Sequence, residues 1–308
     1  MRVSVIGCWG GSPRAGGACS GYLVEHGGFR LLLDCGSGVA SRLPLARPLS
    51  QVHHVFVSHY HFDHVSDAGV LAYARLVERQ VEAGVRAGDA RLAAAGVGVG
   101  SLDGTPCPSA AVGGTDGPAG SAAETRAAAL PELTFYAQAG TPELDAEFAR
   151  LAVPGGSRAQ AVGEGDRLRV GPLALSFMRT RHPVPCLAVR VSAPDGATLA
   201  YTADGALTPH LGEFCAGADA LVAECSLYPG FDGSRAGHMS CDDVVELARC
   251  ARPRTLVLSH LPIYGDESLL ARRVRAALSA DEVDEVALAS RPPHGRDMLA
   301  FDVVARKG

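Results

Sequence analysis

Apolar residues fall along this chain in short runs closed by glycine, proline, aspartate or serine, a pattern of strands more than of long helices. Residues 3–6, 22–24 and 29–33 read as successive strands of a meander, with Gly27-Gly28 as a tight hairpin turn. Asp34-Cys35-Gly36-Ser37-Gly38 then turns the chain into a short helix that stops at Leu43 and Pro44. A buried strand follows at 55–57. From Asp67 to about Arg79 the period lengthens, and Val70, Leu71, Ala74 and Val77 mark one face of a helix.

The pattern fades from about 80 to 130, where the chain is rich in alanine and glycine and poor in large apolar residues. Such a stretch buries little surface, so it reads as an insertion, part helical and part flexible loop. A lid over a site and a tolerated surface insertion both fit. Order returns with a strand at 133–136 and a helix opened by Thr141-Pro142-Glu143, which supply an N-cap, an N1 proline and a first-turn acid. Strands are predicted at 167–170, 173–179, 186–191, 198–201, 220–223, 255–258, 286–288 and 298–303, with helices at 241–250 and 268–278. Two meander-and-helix halves predict a layered α/β fold, its sheets stacked as a sandwich with helices outside. The chain, 1–308, is read as one domain carrying the insertion.

Composition narrows the classes. A net charge of −5 argues against a generally nucleic-acid-binding surface. Met1-Arg2 leads straight into a strand, with no apolar core of a signal peptide, and no run reaches the roughly 18–20 apolar residues of a membrane span. Nine cysteines, an odd number without a C-x-x-C pair, fit reduced thiols in a cytoplasmic protein better than a disulfide framework.

The densest chemistry is His59-Tyr60-His61-Phe62-Asp63-His64, directly after the 55–57 strand. Imidazoles and carboxylates are the usual ligands of zinc and its first-row neighbours. Later strand ends offer His182 before a proline, Asp204 before a glycine, and His260 in the same Ser-His context as His59. One histidine at a strand end is usually structural. Several, added to the dense run, are hard to explain as loop chemistry.

In that order, His59-x-His61-x-Asp63-His64, His182, Asp204 and His260 resemble the metallo-β-lactamase superfamily, as do the Ile6–Pro13 loop and Leu33-Asp34-Cys35-Gly36. The resemblance implies an αββα sandwich with two divalent metal ions, zinc or else manganese or iron, at one edge of its sheets. Carried over, the first ion takes His59, His61 and His182. The second takes Asp63, His64 and His260, and Asp204 bridges both. Paired ions roughly 3.5–4 Å apart can share a hydroxide and stabilise both attacking and leaving oxygens, a role in which Asp63 counts as catalytic. Histidine at 61, where the diiron redox branch has glutamate, favours hydrolysis.

Two further segments resemble the ribonuclease Z-like branch: Glu224 at the end of a buried strand, and Gly237-His238-Met239-Ser240 before a helix with capping-box spacing to Asp243. In that branch the glutamate orients the histidine, which implies leaving-group chemistry for His238 and phosphodiester hydrolysis for the site. The bland alternative is a strand-end carboxylate and a helix-start histidine. Ribonuclease Z itself usually carries a long arm between the positions of His182 and Asp204. Here they are 22 positions apart, filled by two strands and a turn. The preferred reading is therefore an armless phosphodiesterase acting on a small-molecule diester such as a cyclic nucleotide. A tRNA 3′-processing endonuclease with an RNA substrate comes second. A lactone or thioester hydrolase and a non-catalytic metal-binding protein remain further alternatives. No membrane partner is expected; a homodimer is a possible assembly.

Other candidates carry less. His53 and His54 read as a solvent-facing strand start, His26 as a turn residue, and His210 and His294 as surface or cleft residues. Asp67 reads as the cap of the helix after the metal run or as a partner of a ligand histidine. Asp34 reads as an acceptor for backbone groups below the site. Tyr60 and Phe62 read as loop packing, Cys186 and Cys225 as inert buried thiols, and Arg272-Arg273-x-Arg275 as a solvated helix face. The glycine-rich loop 10–20 is weak evidence for a phosphate cradle.

Overall fold

The computed structural model describes residues 1–95, 97, 129–290 and 298–306. In chain order its strands are β1 (Arg2–Gly7), β2 (Gly21–His26), β3 (Phe29–Leu33), β4 (His54–Phe56), β5 (Leu133–Ala137), β6 (Ser157–Ala161) and β7 (Arg167–Val170). They continue as β8 (Leu173–Arg179), β9 (Leu187–Ser192), β10 (Thr198–Tyr201), β11 (Ala220–Glu224), β12 (Thr255–Ser259), β13 (Glu285–Leu288) and β14 (Ala300–Asp302). The helices are α1 (Val39–Arg42), α2 (Phe62–Val65), α3 (Ala68–Arg86), α4 (Ala90–Ala94), α5 (Pro142–Arg150), α6 (Pro209–Cys215), α7 (Cys241–Ala251) and α8 (Ser268–Ala277).

Two mixed sheets result, in the orders β14-β1-β2-β3-β4-β5-β6 and β13-β12-β11-β10-β9-β8-β7. Each starts as an antiparallel meander and changes to parallel pairing, at β3–β4 in one sheet and β10–β11 in the other. The strands alternate as a period of two demands: Val3, Val5, Tyr22, Val24, Leu31 and Leu33 join a core with the second sheet and α6–α8. Their neighbours Ile6, Leu23 and Leu32 face a second core with Leu43, Leu71 and Ala72. Helix, sheet, sheet and helix thus form the expected layered α/β sandwich.

Local signals behave as their chemistry requires. Thr141 caps α5 through the Leu144 amide, and Ser240 with Asp243 closes a capping box on α7. Several expectations need correction. β6 was not anticipated, because Ser-Arg-Ala-Gln-Ala is a largely exposed edge strand with little apolar signal. Helix α3 runs on to Arg86, into the segment read as the start of the insertion, and α4 follows it. Residues 98–128 of that segment lie outside the described residues, as does His294. The buried positions of α3 are Ala68, Leu71, Ala72, Arg75 and Glu82, while Val70 and Val77 are exposed. His53 and His54 are half-buried rather than solvent-facing: His53 meets Arg75 at 3.1 Å, and His54 stacks between Phe29 and Tyr136. Among the described residues no helix is long and apolar enough to cross a membrane, and all eight described cysteines are free.

Candidate metal centre

β4 ends in a buried apolar strand, and the chain then has to turn sharply. Asp34, fully buried at the end of β3, organises that turn. Its carboxylate accepts the Ser58 amide at 2.7 Å, the Ser58 hydroxyl at 2.8 Å, His64 Nδ1–H at 2.7 Å and the Tyr201 hydroxyl at 2.6 Å. The single turn of α2 then brings His59, His61, Asp63 and His64 to one place. Gly36 is needed beneath it, since a Cβ there would lie 1.9 Å from the Asp63 carbonyl oxygen.

The second sheet supplies its residues singly. His182 follows β8 and donates Nδ1–H to the Gly237 carbonyl at 2.9 Å. Asp204 follows β10, with its carbonyl accepting from the Thr180 hydroxyl at 2.5 Å. His260 follows β12 and donates Nδ1–H to Ser226 Oγ at 2.8 Å. Among the described residues, three of the four non-glycine residues with positive φ sit here: Asp34, Ala203 beside Asp204, and His260 itself. Left-handed backbone costs such residues roughly 1–2 kcal/mol each, so packing and hydrogen bonds hold these turns.

All seven residues singled out as ligands converge. The donor atoms of His59, His61, His182 and Asp204 lie within 4.8 Å of one another, as do those of Asp63, His64, Asp204 and His260. Asp204 belongs to both groups. The geometry fits divalent cations on two counts. His61 Nδ1 lies 3.0 Å from His59 Nε2 and 3.1 Å from His182 Nε2, so three imidazole nitrogens share a space that a few protons satisfy poorly. His64 Nε2 and Asp204 Oδ1 are buried without a hydrogen-bond partner among the described residues. Imidazoles and carboxylates together suit zinc, manganese or iron. The histidines are pre-oriented: Asp34, Gly237 and Ser226 engage Nδ1 of His64, His182 and His260, turning each Nε2 inward.

Electrostatics sort the side chains. Burial and the neighbouring His64 keep His59 neutral, well below the usual histidine range. Burial would raise Asp204, yet His260 and His64 hold it well below the usual carboxylate range. Burial would likewise raise Asp63, but a hydrogen bond from His260 at 3.0 Å lowers it.

Glu224 and His238 form a third group with His260. Glu224 is buried; its Oε1 accepts the Gly205 amide at 2.5 Å, and its Oε2 accepts from the Ser226 hydroxyl at 2.6 Å and from His238 Nδ1–H at 3.0 Å. His238 stacks on His260 with ring centroids 5.5 Å apart, and 25% of its side chain is exposed. Burial would lower its pKa, but the Glu224 hydrogen bond and charge outweigh that and push it up to about 9. An imidazolium whose Nδ1 is fixed by Glu224 keeps its Nε2–H free of that bond and can deliver a proton beside the site.

Several residues escaped the sequence reading or were misread. Ser226 ties Glu224 to His260, and only its position in Glu-Cys-Ser after a buried strand could have signalled that. Gln138 donates to the Ser58 and Pro185 carbonyls at 3.0 and 2.9 Å, joining the two sheets below the turn. The Gly11 amide donates to Asp63 at 2.7 Å, so the glycine-rich loop serves a site carboxylate. Gly10 lies so near His260 that a Cβ would come within 2.7 Å of its ring. Asp34 supports the histidines as well as the backbone. Asp67 stands at the N-cap of α3, but its carboxylate accepts the Ala40 amide at 2.8 Å instead of capping the helix. Tyr60 packs the loop and donates to the Gln138 carbonyl at 2.6 Å, whereas Phe62 is exposed among the described residues. Cys186 and Cys225 are buried with thiols held protonated by desolvation; Cys186 Sγ lies 3.5 Å from His59 Nδ1. His210 is exposed on α6.

A helix-flanked double sheet, with a His-x-His-x-Asp-His turn after one inner strand and further donors on later strand ends, is metallo-β-lactamase architecture. The family model for the metallo-beta-lactamase superfamily matches residues 14–84, and that for the beta-lactamase superfamily domain matches residues 122–261. YhfI of Bacillus subtilis, a probable metallo-hydrolase, is 31% identical over 282 residues, covering 91% of this chain and 95% of its own length. The chain belongs to the metallo-beta-lactamase superfamily. The YhfI crystal structure superposes with a TM-score of 0.73 at 29% identity, covering 98% of this chain and 99% of YhfI. Human tRNase Z, short form, shares the fold with a TM-score of 0.59 at 17% identity, over 98% of this chain and 99% of its own. A diphosphatase of the PhnP family does so at 0.60 and 14%, over 99% of both chains.

Proposed function

We propose that this protein is a metal-dependent hydrolase with two divalent ions, and that its substrates are small phosphodiesters. In this reading one ion is held by His59, His61 and His182, the other by Asp63, His64 and His260, with Asp204 common to both. The ions, when bound, supply Lewis-acid charge to a phosphoryl oxygen and acidify water. The protein supplies the rest. Asp34, Gly237 and Ser226 fix the rings. Glu224 holds Nδ1 of His238, leaving Nε2–H to pass a proton to the departing alkoxide.

The observation that carries the diester reading is the His238–Glu224 pair, hydrogen-bonded at 3.0 Å and part-exposed beside the paired clusters. An alkoxide leaving group needs that proton. A transfer-RNA substrate is less well supported, because β9 and β10 occupy the interval between His182 and Asp204 and leave no room for a gripping arm. The test is a side-by-side assay of the purified protein on an aryl phosphodiester, cyclic nucleotides, a lactone and precursor tRNA. Turnover of the diester or a cyclic nucleotide supports the reading. Turnover of the lactone or tRNA alone rejects it.

A further inference from the structure

Between β1 and β2 the chain crosses the site on glycine. Gly10 donates to the Leu261 carbonyl at 3.0 Å and lies against the His260 ring, where a Cβ would come within 2.7 Å of the imidazole. Gly11, at φ +75°, donates its amide to Asp63 Oδ2 at 2.7 Å, and His260 Nε2 meets the same oxygen at 3.0 Å. The loop therefore reaches two members of the Asp63–His64–Asp204–His260 group with backbone alone. Four of the eight residues from 10 to 17 are glycine, so ordering this loop is entropically costly.

Arg42 holds its far end through the Gly16 carbonyl. Over the near end, where Gly10 and Gly11 meet the site, the anchoring side chain is Arg14. Its guanidinium lies 4.2 Å over the Trp9 ring and pairs with the buried Glu267 at 2.9 Å. It also donates to the Ile263, Gly265 and Pro262 carbonyls at 3.2, 3.2 and 3.5 Å. Apart from Trp9, these partners all lie on the segment that leaves His260. Arg14 thus fastens the loop that grips one carboxylate to the chain that carries the neighbouring histidine. Arginine suits the task, since its planar fork reaches several acceptors at once where an ammonium reaches few. Among the described residues no hydrogen bond joins loop 10–17 to His59, His61 or His182.

We propose that Arg14 is a positioning residue for the ion held by Asp63, His64 and His260, and not for the ion held by His59, His61 and His182. This assignment rests on the two-ion reading above. With Arg14 in place, the Gly11 amide keeps Asp63 Oδ2 turned towards His260. Without it the glycines regain their freedom, the amide leaves Asp63, and the carboxylate loses its fixed direction.

Stepwise zinc binding to the metal-stripped full chain, read by competition with a chelator, tests this. Arg14→Met is expected to weaken one of the two binding steps by roughly 10–100-fold and to leave the other unchanged. General loosening of the fold would weaken both, so equal loss at both steps, or none at either, overturns the assignment. The affected step is identified in His182→Ala, which lacks a ligand of the first ion. Adding R14M there should weaken the ion that remains, and the absence of any effect overturns the assignment. Should R14M not fold, Glu267→Gln cuts the same anchor from its buried end. Loss at one step alone is again the expected result, and loss at both or at neither overturns it. A wild type that takes up fewer than two zinc ions overturns the two-ion reading itself, and the role of Arg14 with it.

Discussion

The two halves of the sandwich reach one site by different routes. The first sheet delivers four donor side chains in a single turn after β4, organised from below by one carboxylate, Asp34. The second delivers His182, Asp204, Glu224 and His260 from the ends of four separate strands, and Thr180, Ser226 and Gly237 tie them together. A contiguous motif is positioned by local chain geometry. A dispersed set depends on sheet register and on hydrogen bonds between loops, so one substitution there reaches further.

The comparison breaks most visibly at Asp204, the residue common to both clusters. Asp204→Ala is expected to empty both and to reduce diester turnover beyond the roughly 10⁴-fold that loss of a proton-transfer group costs. Elemental analysis checks it, and retention of both ions would refute the shared role. His238→Ala should lower turnover by roughly 10²–10⁴-fold with metal content unchanged, the mark of a proton donor outside the clusters. Loss of metal in that variant would place His238 among the ligands instead. In the first half, Asp34→Asn is expected to weaken metal affinity by roughly 10–100-fold, since it disturbs the orientation of His64 without removing a ligand. A competitive chelator titration reads that shift.

The smallest effect lies in the first sheet, away from the site. Burial, then Arg75, lowers His53 to about 4. The folded chain therefore holds it neutral where the unfolded chain, at the ordinary histidine value of 6.5, takes up a proton. Because the unfolded state binds more protons in that window, stability is full above pH 6.5 and declines as pH falls towards 4. In urea titrations, His53→Gln should show a smaller loss between pH 7 and 4.5 than the wild type. An equal loss in both would remove His53 from the account.

Legibility in the sequence followed the same divide. The run from His59 to His64 announced itself by density. His182, Asp204 and His260 became visible only through their order along the chain and the family resemblance it carries. What could not be read were partners set by tertiary contact. Ser226 and Gln138 are ordinary polar residues until two loops meet. The polarity of α3 was misread because Arg75 finds its carbonyls and Glu78 inside the fold, which no periodicity of apolar residues records. β6 escaped because an exposed edge strand has no apolar alternation to report.

The most direct test follows metal stoichiometry and aryl phosphodiester turnover in one titration of the metal-stripped wild type. Turnover that climbs to its plateau as the second equivalent of zinc or manganese binds is the expected result. Two equivalents bound with no diester hydrolysis would contradict the account.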